Sequence, residues 1–79
     1  MNNDNLSNIK CLIFRFREDY TKYKLIKFTN RDVAKRYYDV ALRKPNFVHA
    51  ETFDECVKWL KNKNYKFEIV VRDQYNIHD

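Results

Sequence analysis

"IKCLIFRFREDYTKYKLIKF", residues 9–28, decides the fold. Residues 9–17 and 22–28 are rich in β-branched and aromatic side chains, and each run reads as a strand. "EDYT" between them turns the chain, so the two strands pair antiparallel. The chain contains no glycine, and a four-residue type I loop is therefore expected in place of an Asn-Gly hairpin. Side chains alternate across a strand. Leu12, Phe14 and Phe16 share one face, with Cys11, Ile13, Arg15 and Arg17 on the other. In the second strand Ile26 and Phe28 match the apolar face, which leaves Tyr23, Leu25 and Lys27 opposite.

Working outward, a helix-start signal occurs twice. Thr29 precedes Asp32 and Thr52 precedes Glu55 by three residues, the spacing at which a hydroxyl takes an orphan N–H of a first turn. Asn30 is an alternative cap for the first helix. Pro45 ends that helix by disfavouring helical geometry at Lys44. Residues 46–51, "NFVHAE", form either a loop or a short edge strand. The second helix spans 53–63, and "YKFEIVVR", 65–72, is a strand with Tyr65, Phe67, Ile69 and Val71 on one side and Lys66, Glu68, Val70 and Arg72 on the other.

The order β-β-α-(β)-α-β predicts an α+β domain. It has two layers: a three- to four-stranded, mainly antiparallel sheet with two helices on one face. Residues 9–73 make the single domain, with a disordered tail at 1–8 and a flexible one at 74–79. A domain this small buries only about 60% of its unfolded surface. Six Phe, six Tyr and one Trp compensate with large area per residue.

Charge bears on partners. Sixteen Lys and Arg against eleven Asp and Glu give a net charge of +5, which favours polyanions or acidic surfaces. The cation-rich helix at 31–44 is not where the excess lies. Val33, Ala34, Tyr37, Val40 and Ala41 share its apolar side. On the charged side Asp32–Arg36, Lys35–Asp39 and Asp39–Arg43 are spaced i,i+4 and offset one another. The sheet differs. With both helices on the apolar face, the open face carries Arg15, Arg17, Lys27, Lys66 and Arg72 against Glu68, with Tyr23 among them. Cations along a sheet neutralise phosphates, and a ring between them stacks on a base. Ile13, Leu25 and Val70 on the same face also suit a protein partner.

Catalytic and metal chemistry is not expected, nor is a cofactor. His49 and Glu51 flank Ala50, but no placed partner accompanies them. Cys11, His49, Cys56 and His78 have no zinc spacing. A phosphate-binding glycine loop is impossible without glycine, and the one serine, Ser7, lies in the tail. Cys11 and Cys56 read as reduced, buried thiols of a cytoplasmic protein. The start "MNNDNLSN" lacks the apolar region of a signal peptide, and no run approaches the roughly 18 apolar residues that cross a bilayer, so no membrane partner is expected. Trp59 sits beside the buried stripe of Phe53, Cys56, Val57 and Leu60, with Lys58, Lys61, Lys63 and Lys66 nearby in sequence. It serves either as a stacking or hot-spot contact or as a cover over the sheet edge.

"FVHAETFDECVKWLK", 47–61, resembles the strand-to-helix unit of the small hybrid-binding domain that precedes eukaryotic ribonuclease H domains. "KLIKFTNRDVAKRYY", 24–38, is similar to a degenerate first copy. Similar units occur in phage integrase arm-binding domains. The likeness covers about 40 residues, lacks that family's glycines and has no counterpart for 65–72, so it assigns no site residue. The expectation is a non-enzymatic module that contacts RNA or DNA through its basic sheet face. The alternative is an inhibitor or adaptor that binds a host protein or nucleoprotein complex. Heavy use of Asn, Lys, Ile, Tyr and Phe fits an A/T-rich genome such as that of a phage or mobile element.

Overall fold

Four consecutive residues of the first strand, Cys11–Phe14, are all buried. Successive side chains of a strand point to opposite faces, so this strand is covered on both sides. The computed structural model describes residues 9–76. They form β1 (Lys10–Arg15), β2 (Lys22–Phe28), α1 (Arg31–Ala41), β3 (Phe47–Thr52), α2 (Phe53–Asn62) and β4 (Lys66–Arg72). The α+β class and the element order are as expected, and residues 46–51 resolve into an edge strand. The expected tail at 1–8 lies outside the described residues, as do residues 77–79. Of the C-terminal tail, Gln74–Asn76 are described.

The sheet order is β3-β1-β2-β4. β1 is antiparallel to β2 and β3, whereas β4 runs parallel to β2. The sheet is thus mixed, and β2, β3 and β4 share one direction. α1 carries the chain from β2 past β1 to β3, and α2 carries it back past β1 and β2 to β4. Crossovers between parallel strands of one sheet keep one hand. Two crossovers travelling in opposite directions can share that hand only with their helices on opposite faces.

That is the observed arrangement, and it corrects the expectation of two helices on one face. Leu12, Phe14, Ile26 and Phe28 pack against Val33, Ala34, Tyr37 and Ala41 of α1. Cys11, Ile13, Tyr23 and Leu25 pack against Cys56 and Leu60 of α2. The alternation read from β1 and β2 is the one observed, but both faces are interior.

Local signals hold the helices in place. The Asn30 side chain accepts the Val33 N–H at 2.9 Å, and Thr52 Oγ1 accepts the Glu55 N–H at 3.5 Å. α2 ends in a Schellman motif, with Tyr65 N–H donating to the Leu60 carbonyl at 3.1 Å and Asn64 N–H to that of Lys61 at 3.0 Å. This motif needs a left-handed residue, and in a chain without glycine Asn64 takes the role at φ 59°. At the hairpin, Lys22 N–H donates to Asp19 O at 3.1 Å, while the Asp19 carboxylate accepts Thr21 N–H at 2.9 Å and the Thr21 hydroxyl at 2.6 Å.

Candidate nucleic-acid interface

The sheet face expected to lie open is covered. Ile13, Tyr23 and Leu25 are each at most 3% exposed beneath α2. The β4 register also divides the expected cations. Phe67 and Ile69 align with Tyr23 and Leu25 on the α2 face. Lys66, Glu68 and Arg72 alternate with them and lie on the α1 face beside Lys22, Lys24 and Phe28. Arg15 and Lys27 remain on the α2 face but at opposite ends. Arg15 aligns with Tyr23, and Lys27 aligns with Val71, its ammonium 4.5 Å from the Phe53 ring centroid. A basic sheet face made of Arg15, Arg17, Tyr23, Lys27, Lys66 and Arg72 therefore does not exist. The register of β4 on β2 gives it the parity opposite to the one expected, and α2 occupies the rest.

The cations converge instead on one end of the sheet. The β1–β2 turn is there, together with the starts of β3 and β4 and the ends of both helices, since each helix begins at the far end. A groove of ≈ 380 Å³ at this end is lined by Arg15, Arg17, Lys24 and Lys44, with Phe14, Phe16, Tyr37 and Tyr75 as its apolar walls and Glu18 as its acid. A second, more open groove shares Arg15, Phe16, Arg17 and Asn46 with the first and continues past Tyr20, Pro45 and Phe47 to Val48. The two form one surface wrapped around the end of the hairpin.

Local sequence builds it. The ladder between β1 and β3 slips at Ile13/Phe14, where Ile13 aligns with His49 and Phe14 with Phe47, leaving Val48 as the extra residue. The slip brings Asn46 against Arg15: Arg15 N–H donates to Asn46 O at 2.9 Å, and Asn46 Nδ2 donates to Arg15 O at 2.9 Å. The Asn46 side-chain oxygen is buried, with no hydrogen-bond partner among the described residues. Cations bracket the rings. The Arg15 guanidinium lies 5.8 Å from the Tyr20 ring and 5.6 Å from that of Tyr23, and its Nη2 donates to the Tyr23 hydroxyl at 3.3 Å. Lys22 and Lys24 stand 5.0 and 5.9 Å from the Phe16 ring. Lys22 also pairs with Glu68 at 3.2 Å on the surface, a contact worth at most about 1 kcal/mol. Tyr20, at the tip of the turn, is 72% exposed.

Of the residues named from sequence, Arg15 and Arg17 line this surface. Lys66 begins β4 beside Lys22 at the same end. Tyr23 supports from below, stacked on Tyr65 with ring centroids 4.3 Å apart. Lys27 and Arg72 lie at the far end. Trp59 is half-buried over the β3 edge, stacked on His49 at 4.9 Å with the rings 8° from parallel, and edge-on to Tyr65 at 5.8 Å. The Lys63 ammonium lies 5.1 Å from its ring. Phe16, Tyr20, Lys22, Lys24, Lys44, Asn46 and Tyr75 were not singled out. The first four flank one turn in "RFREDYTKYK" and form a local cluster of rings and cations. Lys44, Asn46 and Tyr75 reach the groove only through tertiary structure.

Among the described residues no three His, Cys, Asp or Glu side chains are grouped to hold a metal ion. Burial pushes the Cys56 thiol up to about 12, and burial raises that of Cys11, which makes both poor nucleophiles. The Asp19 carboxyl is held below its ordinary value by the Thr21 hydroxyl, a consequence of the turn. No helix among the described residues is long and apolar enough to cross a membrane. No family model matches the chain, and neither does any curated protein or solved structure. The resemblance of residues 47–61 to the hybrid-binding repeat thus rests on a strand followed directly by a Thr52-capped helix.

Proposed function

We propose that this protein is a non-enzymatic module that binds single-stranded RNA or DNA around the end of its β1–β2 hairpin. The observation that carries the reading is the continuous groove in which Arg15, Arg17, Lys24 and Lys44 stand among Phe16, Tyr20 and Tyr75. Phosphates neutralise the cations, with release of counterions. A base stacks on an exposed ring, a contact that tolerates any sequence. Tyr20 is the exposed ring at the tip. The shallow, open shape fits a flexible strand better than a rigid duplex.

Anisotropy of a labelled oligonucleotide of about 12 nucleotides, titrated from low to moderate salt, tests this. The logarithm of affinity should fall with the logarithm of salt by about 0.7 per phosphate contacted on a single strand. Arg15→Glu with Arg17→Glu should abolish binding. Lys35→Glu with Arg36→Glu, on the exposed side of α1, should change it little. Tyr20→Ala should weaken binding by about 1–3 kcal/mol if one base stacks there. Equal losses from the hairpin and α1 pairs would remove the site, and no binding at low salt would remove the function.

A further inference from the structure

The β4 edge carries a second surface. Among the described residues β4 is the last strand on its side of the sheet. Thr29 N–H donates to the Arg72 carbonyl at 3.3 Å, so Arg72 directs its backbone groups toward β2. By alternation Glu68 and Val70 do the same, and Phe67, Ile69 and Val71 direct theirs outward. Such a row of outward groups is a template for another strand, and edges are usually blunted by inward charges, proline or a bulge. Neither proline nor a register slip interrupts β4. Its outward-bonding residues Ile69 and Val71 are also 49% and 57% exposed.

We propose that this edge joins two copies of the chain, β4 against β4, antiparallel, with Val70 of each copy opposite Val70 of the other. A two-fold axis perpendicular to the sheet keeps each face continuous, so the register must centre on a residue. The charges select which one. Centred on Glu68, two carboxylates meet. Centred on Ile69, Lys66 of one copy meets Arg72 of the other. Centred on Val70, Glu68 of each copy lies opposite Arg72 of its mate, and Ile69 lies opposite Val71. The last register satisfies charge and apolar contact together. It also makes Ile69 and Val71 the pair that exchanges backbone hydrogen bonds, because both direct theirs outward. The two sheets become one of eight strands, the apolar residues left bare beside α2 cover each other, and the hairpin grooves stay free.

Sedimentation equilibrium of the full chain in low salt, from about 1 µM to about 1 mM, tests this directly, since a small interface falls within that range of dissociation constants. A concentration-dependent dimer is expected. Ile69→Lys, at an exposed position that leaves the β2 ladder intact, should weaken it at least tenfold without changing the circular dichroism spectrum. Glu68→Arg sets cations opposite each other, and Arg72→Glu sets carboxylates opposite each other. Each variant alone should be monomeric, whereas an equimolar mixture of the two should dimerise, because both opposed pairs regain opposite charges. A native chain that stays monomeric at about 1 mM overturns the proposal. So does a dimer that tolerates Ile69→Lys, or a mixture of folded charge variants that fails to associate. If Arg72→Glu unfolds the chain, Ile69→Lys and Glu68→Arg still decide the outcome.

Discussion

Leu12 and Ile13 are neighbours in β1, and both are fully buried, yet they belong to different cores. Leu12 faces α1, in a cluster completed by Phe47, Ala50 and Tyr75. Ile13 faces α2, in a cluster that holds both cysteines and borrows its rim from Trp59, Tyr65 and Phe67. The α1 face is closed at one end by the segment after β4, where Tyr75 meets Tyr37 edge-on at 5.0 Å. Among the described residues the α2 face has no such cover at β4. α2 lies over β3 and β1, and Ile69 and Val71 on the last strand stay exposed. One sheet thus has a face sealed by its own chain and a face left partly apolar at its edge. A partner strand is the economical way to finish the second.

Core truncations give the largest effects and test whether the two faces unfold together. Phe28→Ala on the α1 face should cost about 3–5 kcal/mol and Leu60→Ala on the α2 face about 2–5 kcal/mol, each enough to unfold much of a domain this small. Both are essentially inaccessible to solvent. Urea melts followed by tryptophan fluorescence, which reports α2, and by far-ultraviolet dichroism should coincide for each variant. A Phe28→Ala protein that loses helix while Trp59 emission stays native would show two units where one is expected.

These faces are partly legible in the sequence. The alternation in β1 and β2 separates Leu12, Phe14, Ile26 and Phe28 from Cys11, Ile13, Tyr23 and Leu25 correctly. The Thr52 cap follows from its spacing to Glu55, whereas the Thr29–Asp32 spacing misleads: Asn30, the alternative, caps α1, because its short side chain reaches the first-turn Val33 N–H. What the residues of β1 also imply is that neither face is open, since "CLIF" is an unbroken apolar run and unbroken runs belong to strands covered twice. Cys11 and Ile13 carried that message against the charge of Arg15 and Arg17. The placement of β4 was harder. Whether "YKFEIVVR" pairs parallel or antiparallel depends on the route of α2, and the faces of Lys66 and Arg72 depend on a register that turns Phe67 toward the α2 cluster. Of the hairpin site, the ring-and-cation cluster around Phe16 and Tyr20 was visible in one decapeptide. Lys44, Asn46 and Tyr75 come from three other segments and meet it only in the fold.

Alkaline pH separates the faces next. The Cys56 thiol rises from its ordinary 9.0 to about 12, and the Cys11 thiol rises too, both chiefly through burial. On the other face, burial pushes the Tyr38 phenol from 10.0 up to about 12. Each group binds its proton more tightly in the native state than when unfolded. Above the unfolded value the native state therefore holds more protons, and stability falls as pH rises. The slope approaches about 1.4 kcal/mol per pH unit for each group. Loss should begin near pH 9 with the α2-face thiols and steepen near pH 10 as Tyr38 joins. Cys56→Ala should flatten the first part and Tyr38→Phe the second, in melting temperatures taken from pH 7 upward. A stability curve flat to pH 11 would mean that water reaches the thiols.

The caps come next, at about 1 kcal/mol. Asn30→Ala removes a bond of 2.9 Å from α1, whereas Thr52→Ala removes one of 3.5 Å from α2. The α1 variant should lose more stability in chemical melts, by a few tenths of a kcal/mol. The reverse order would place the stronger cap on the face that the Thr52–Glu55 spacing marks more clearly in sequence.

A finer contrast lies within the α1 face, in two adjacent tyrosines. The Tyr37 hydroxyl accepts the Asn76 N–H at 2.9 Å, and so ties the segment after β4 to α1. The Tyr38 hydroxyl is buried, with no hydrogen-bond partner among the described residues. Removing a paired hydroxyl leaves the Asn76 N–H without its acceptor, so Tyr37→Phe should cost about 0.5–1.5 kcal/mol. Removing an unpaired one discards a polar atom that lost its water on folding, and Tyr38→Phe should leave stability unchanged or raise it by up to about 1 kcal/mol. Tyr37→Phe should also speed amide exchange at Asn76, whereas Tyr38→Phe should not. If closure by Tyr75 and Asn76 is what distinguishes this face, the Tyr37 change should make it behave more like its neighbour. A Tyr38→Phe protein destabilised as much as Tyr37→Phe would mean that both hydroxyls are bonded and that the asymmetry between the two residues is not real.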